Sequence, residues 1–154
     1  MPSRAHHSAI VVCDVEASLR FWRDGMGFEV LMDQHFDGDW SALFVAPANR
    51  LRSIFLGDPA RADAGIVELV RFGEADDALA AADDPAALPA TRPGFFLISC
   101  YVDVDVVLGR LRGMGLGGTP RRIVVPGRGG QPVEMATVID PDGVLVELIG
   151  LTPV

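Results

Sequence analysis

Lysine is missing: all 13 basic residues of this 154-residue chain are arginine. Without a side-chain primary amine, Schiff-base chemistry and a lysine general base are excluded. Cysteine occurs only at Cys13 and Cys100, both in apolar, strand-like stretches. These read as reduced, buried small residues, not as a disulfide framework or a nucleophile. No apolar run approaches the ~20 residues that span a bilayer, so no membrane partner is expected. Residues 1–7 lack the apolar core of a signal peptide, which makes a cytoplasmic protein the expectation. Positive charge is short as well. With 21 acidic residues the formal net charge is −8, so the chain repels phosphate backbones and nucleic acid is not an expected partner. An Arg-, Ala-, Gly- and Asp-rich chain without Lys points to a GC-rich bacterial genome.

What is present is a chain 49% hydrophobic, enough for one compact domain or two half-domains. The chain also repeats itself. Gly25-Met26-Gly27-Phe28 recurs as Gly113-Met114-Gly115-Leu116, and Ile66-Val67-Glu68-Leu69-Val70 recurs as Leu145-Val146-Glu147-Leu148-Ile149. An Asp-Pro turn precedes each Glu-bearing strand, at Asp58-Pro59 and at Asp140-Pro141-Asp142-Gly143. An apolar strand, an Asp and a helix-like stretch precede each Gly-Met-Gly. The order is the same in both halves. From Gly27 to Glu68 is 41 residues and from Gly115 to Glu147 is 32, so the first copy carries nine more.

Local patterns fill in the elements. Strands are expected at 7–12, 28–32, 41–46 and 66–72, with Asp37-Gly38-Asp39 as a hairpin turn. Residues 54–56 read either as a short strand or as loop. Val15, Leu19 and Trp22 fall at i, i+4 and i+7, which predicts a helix over 15–24 with Asp14 as N-cap. In the second half, strands are expected at 95–102, 121–125, 134–139 and 144–149, with a helix capped by Asp103. Each half is then βαβββ. The predicted fold class is α+β: two tandem βαβββ modules, 1–73 and 94–154, forming a curved mixed sheet with a concave cleft. A linker at 74–93 joins them, with one short helix near 76–82. A cleft of this kind is the default ligand site.

These residues resemble the vicinal oxygen chelate superfamily, which includes glyoxalase I, extradiol dioxygenases and bleomycin-binding proteins. The match rests on His7, Asp14, Ser18, Phe21-Trp22, Gly27-Phe28, Asp103-Val104-Asp105, Leu111, Gly115 and Asp140-Pro141-Asp142-Gly143 through Glu147-Leu148. The resemblance implies a divalent metal (Ni, Zn, Mn or Fe) held by His7, Glu68 and Glu147. The fourth ligand position is incomplete: counting back from Asp103 puts Phe96 there, or Phe95 with a one-residue slip. Two readings follow. In one, the three side chains hold the ion, which stabilises an enolate-type intermediate of a lyase or isomerase acting on a small oxygenated molecule. In the other, the metal is lost and Phe96 forms part of an apolar wall. A partly desolvated Glu68 or Glu147 then serves as a proton-transfer base, or the protein merely sequesters an aromatic drug or natural product. A ring-cleaving dioxygenase is disfavoured because its iron needs two histidines. Trp40, Phe44, Tyr101 and Arg128 are the further candidates for contacting a small-molecule ligand. Gly127 to Gln131 reads as a hairpin over the cleft. A homodimer is expected from the resemblance and from half-exposed apolar sheets.

Overall fold

A computed structural model describes residues 5–44, 46–74 and 94–150. The expected linker and its short helix lie outside the described residues. The chain divides into two compact units, each an α+β module with one four-stranded mixed sheet. The first unit holds β1 (His7–Val11), α1 (Val15–Leu19), β2 (Glu29–Asp37), β3 (Arg50–Gly57) and β4 (Ile66–Phe72), in sheet order β1-β4-β3-β2. The second holds β5 (Ile98–Val102), α2 (Val104–Gly113), β6 (Gly117–Pro126), β7 (Pro132–Ile139) and β8 (Leu145–Gly150), ordered β5-β8-β7-β6. In both units the first and last strands pair parallel and the other pairs are antiparallel. The doubling read from the repeats is therefore a doubling of structure.

Both helices start where the caps predict. Asp14 accepts from the Ala17 N–H at 3.0 Å, and Asp103 accepts from the Val106 N–H at 3.1 Å. α1 widens into a π-type turn over Arg20–Gly25, which completes the helical stretch expected for 15–24. Gly27 ends it at φ +85°, a left-handed conformation that favours glycine. The helix-facing side of the first sheet is core: Ile10, Ile54, Leu56, Val67 and Leu69 are buried with Phe21 and Trp22.

The Asp140-Pro141-Asp142-Gly143 turn explains its own sequence. Asp140 is buried, and its Oδ1 accepts from the N–H groups of Asp142 and Val144 at 2.9 and 2.8 Å. Asp140→Ala strands both donors beneath the surface. It should cost about 1–3 kcal/mol, read as a lower urea midpoint at unchanged slope.

Three expectations need correction. Residues 41–46 are not a strand. Trp40–Ala42 is a 3-10 turn, held by the Phe44 N–H on the Trp40 carbonyl and by the near-parallel Trp40 and Phe44 rings. The third strand of the first unit is instead β3, which pairs with β2 along its whole length. Asp37-Gly38-Asp39 is not the hairpin turn expected: Asp37 still belongs to β2 and pairs with Arg50, so the β2–β3 connection runs over 38–49. The strand expected at 95–102 begins only at Ile98, leaving Phe95 and Phe96 ahead of it. Among the described residues no helix is long and apolar enough to cross a membrane.

Candidate active site

Strand alternation decides which side chains share the face of the first sheet away from its helix. Glu68 lies opposite Ala9 on β1 and opposite Phe55 on β3. One period away are His7 on β1 and Ser53 on β3, so all three polar groups stand on one face. Their contacts are direct. His7 Nε2 is 3.1 Å from Glu68 Oε2, and Ser53 Oγ donates to Glu68 Oε1 at 2.5 Å. The carboxylate is thus gripped on both oxygens, and its side chain is only 14% exposed. Behind His7 lies His6, with its Nδ1 2.8 Å from the Nδ1 of His7.

This polar cluster forms one end of a cavity of about 770 Å³. The remaining wall is apolar, and its aromatic part comprises Phe36, Trp40, Phe44, Phe55 and Phe72. Trp40 and Phe44 lie parallel with centroids 6.4 Å apart, and Phe44 meets Phe72 edge-on at 5.9 Å. A largely apolar cavity with a few convergent polar groups is the usual form of a small-molecule site.

The opposite face carries charge. Arg52 holds Asp33 through two hydrogen bonds of 2.8 and 2.7 Å. The bond from Arg52 keeps the Asp33 carboxyl below the usual carboxylate range, and the guanidinium is raised in turn. A depressed folded-state value means that the pair's stabilisation is present above the ordinary carboxylate range and is lost as pH falls through it. Because the pair is partly exposed, the effect is small. Asp33→Asn should therefore lower stability slightly at pH 7 and leave it unchanged at strongly acid pH, so that the urea midpoints of variant and wild type converge as pH falls below about 4.

The second unit has the related arrangement beside a smaller recess. Glu147 on β8 lies opposite Ser99 on β5 and Thr137 on β7, and Ser99 Oγ donates to it at 2.7 Å. A recess of about 170 Å³ adjoins Glu147, Arg121, Arg122 and Thr137. Arg122 pairs with Asp105 and Glu134. Ser99 takes the place that Ala9 has in the first unit, so Leu97, two residues earlier, stands where His7 stands. Counting back from the helix cap chose Phe96 because the chain from Ser99 to Asp103 is one residue shorter than from Ala9 to Asp14. Phe96 is half-exposed and Tyr101 is 75% exposed. Arg128 begins the 3-10 turn Arg128–Gly130 of the β6–β7 hairpin. Burial pushes the Cys100 thiol up to about 11, so it is protonated and inert at neutral pH.

Of the expected site residues, His7 and Glu68 come together, and Trp40 and Phe44 line the same cavity. Glu147 belongs to the second unit. Ser53 was missed; reading 51–55 as a strand would have placed it beside Glu68 by alternation.

A sequence profile described as the glyoxalase/bleomycin resistance protein/dioxygenase superfamily matches residues 4–148. The chain belongs to that superfamily. The lactoylglutathione lyase-like protein terB of Aspergillus terreus is 33% identical over 150 residues, covering 94% of this chain and 73% of that one. Solved glyoxalase structures share the fold. A glyoxalase family protein from Bacillus cereus has a TM-score of 0.68 at 17% identity, covering 97% of this chain and 95% of that one. The trypanothione-dependent glyoxalase I of Leishmania major has a TM-score of 0.58 at 21% identity, covering 97% and 87%.

Superfamily members bind small molecules and commonly use a divalent metal. Within the first unit, the described donors do not complete a site for such a metal. A divalent centre draws three or more protein donors. Among the described residues no three His, Cys, Asp or Glu side chains are grouped to share an ion. His7 and Glu68 supply two donors, and each already engages the other.

Proposed function

We propose that this superfamily member is a lyase or isomerase that moves a proton on a small oxygen-bearing molecule, with Glu68 as the base and the first unit's cavity as the binding site. The observation that carries this reading is the cavity itself: an apolar chamber whose polar groups converge on one carboxylate. A carboxylate removed from water and aimed at a C–H beside a carbonyl is a competent general base. In the proposed step Glu68 takes that proton, and the C–H electron pair moves to the carbonyl oxygen as an enolate. Where the α-carbon bears a hydroxyl, that hydroxyl gives up its proton to the enolate oxygen, Glu68 returns its proton to the former carbonyl carbon, and the carbonyl has moved to the neighbouring carbon; departure of a group β to the carbonyl with the enolate's electron pair gives a lyase product instead. Ser53 and His7 orient the carboxylate. Once Glu68 is protonated, His7 can turn its N–H to the enolate oxygen.

The test is deuterium wash-in. Aryl α-hydroxyketones and 1,3-diketones are incubated with chelator-dialysed protein in D₂O and followed by NMR. Exchange catalysed by the wild type and lost in Glu68→Gln supports the reading. Exchange that needs added Ni²⁺, Zn²⁺, Mn²⁺ or Fe²⁺ overturns the metal-independent mechanism and restores the metal-dependent one expected from the sequence. Tight binding with no exchange on any substrate means sequestration, the reading that the apolar wall also supports. The proposal includes a homodimer, which sedimentation equilibrium would check; exposed Ile123 and Val124 on β6 support it.

A further inference from the structure

The cavity also limits the chemical class of its ligand, and this inference rests on the preceding reading only for the role of Glu68. Among the described residues, the side chains lining it that carry nitrogen or oxygen are His7, Trp40, Ser53 and Glu68, and none is an arginine. The arginines of β3 and β4 are committed elsewhere. Arg50 pairs with Asp37 and Glu74, Arg52 holds Asp33, and buried Arg71 donates to the Phe72 carbonyl. Strand alternation puts Arg52 and Arg71 on the face away from the cavity.

An anionic ligand would therefore lose its water beside the Glu68 carboxylate with no guanidinium among the described lining residues to answer it, an arrangement that low-dielectric surroundings make costly. A thiol conjugate of the glutathione kind carries two carboxylates and fits this wall poorly. A neutral molecule with an O–H or an acidic C–H fits it well, because Glu68 is an acceptor.

The opposite end is aromatic. Phe44 is 46% exposed and Phe36 37%, ring surface that a flat ligand would cover. The buried indole N–H of Trp40 has no hydrogen-bond partner among the described residues, a donor that a carbonyl oxygen on the ligand would suit. Four strand steps along β4 separate Glu68 from Phe72, roughly 13 Å at the usual strand rise. That is the length of two or three aromatic rings. A volume of about 770 Å³ accommodates such a molecule.

We propose that the first unit's cavity takes an uncharged, flat aromatic molecule of two or three rings, with a hydroxyl or acidic C–H directed to Glu68, and rejects anionic thiol conjugates. The test compares 2-naphthol, 2-naphthoate and S-hexylglutathione at pH 7.5 by isothermal titration calorimetry. The expected result is one 2-naphthol per chain, 2-naphthoate at least tenfold weaker, and no saturable heat from S-hexylglutathione. Glu68→Gln should narrow the naphthol–naphthoate gap to less than threefold by removing the like charge. Phe44→Ser, at a half-exposed position that folding tolerates, should weaken 2-naphthol at least fivefold. Binding of 2-naphthoate or S-hexylglutathione as tightly as 2-naphthol would overturn the proposal, and so would 2-naphthol affinity unchanged in both variants. These measurements do not depend on turnover. Selective binding without deuterium exchange removes the proton-transfer reading and leaves the ligand class standing.

Discussion

Glu68→Gln should lower proton transfer by about 10²–10⁴-fold, the usual worth of a positioned general base. The substitution keeps the shape of the side chain and removes only its capacity to take a proton. Ser53 can still donate to the amide oxygen, and His7 can turn its ring to the amide N–H₂, so the face of the sheet needs no repacking. The loss should therefore fall on kcat, while the affinity for a neutral aromatic ligand changes little. Wash-in rates measured beside the melting temperature separate the two effects: exchange collapses and the unfolding transition moves by no more than a few degrees. A variant that keeps more than about a tenth of wild-type exchange would remove Glu68 from the chemistry. His7→Gln is the companion measurement. If His7 positions the carboxylate, its loss should cost less than that of Glu68 and should fall on kcat and not on the affinity for a neutral aromatic ligand.

The parts of this fold legible from sequence are those where one residue type answers a local backbone demand. Asp14 and Asp103 cap helices, Gly27 supplies a positive φ, and Asp140 closes a turn through two backbone amides. Such requirements recur wherever the unit recurs, so the doubling could be read from short motifs. The pairing of His7 with Glu68 was expected only from the family resemblance, and the parallel β1–β4 register supplies it by setting Ala9 opposite Glu68 with His7 two residues earlier on the same face. β3 was hidden because its partners are charged. Arg50 and Arg52 meet Asp37 and Asp33 across the β2–β3 ladder, and ion pairs between neighbouring strands break the alternation that marks a strand. Ser53 disappeared with it. The Trp40–Phe44 turn was misread because aromatic residues favour strands, whereas here ring stacking at i, i+4 holds a compact turn. The residue matching His7 in sheet register is Leu97, one beyond Phe96, because helix caps are poor anchors for strand register when the connection changes length.

Trp22→Ala should destabilise the first unit by about 3–5 kcal/mol, the range for emptying a large aromatic site in a packed core. Trp22 has no exposed surface. Its ring lies parallel to Phe28 within 4° at 5.8 Å and meets Phe21 edge-on at 5.2 Å. It sits on the π-type turn that follows α1, so its removal loosens both the helix end and the entry to β2. A loss of this size is a large fraction of the 5–15 kcal/mol typical of a domain. Urea unfolding followed by circular dichroism reads the shift as a lower midpoint at constant slope. The shape of the curve carries more. Trp22 belongs to the first unit. If the duplicated modules unfold as one cooperative body, the whole transition moves; if each keeps its own stability, only one of two phases moves. A midpoint shift equivalent to less than about 1 kcal/mol would mean that the ring lies in a loose site, contrary to its packing. Trp40→Phe, in the open wall of the cavity, should change stability by less than about 1 kcal/mol, so the two tryptophans separate what holds the fold from what meets the ligand.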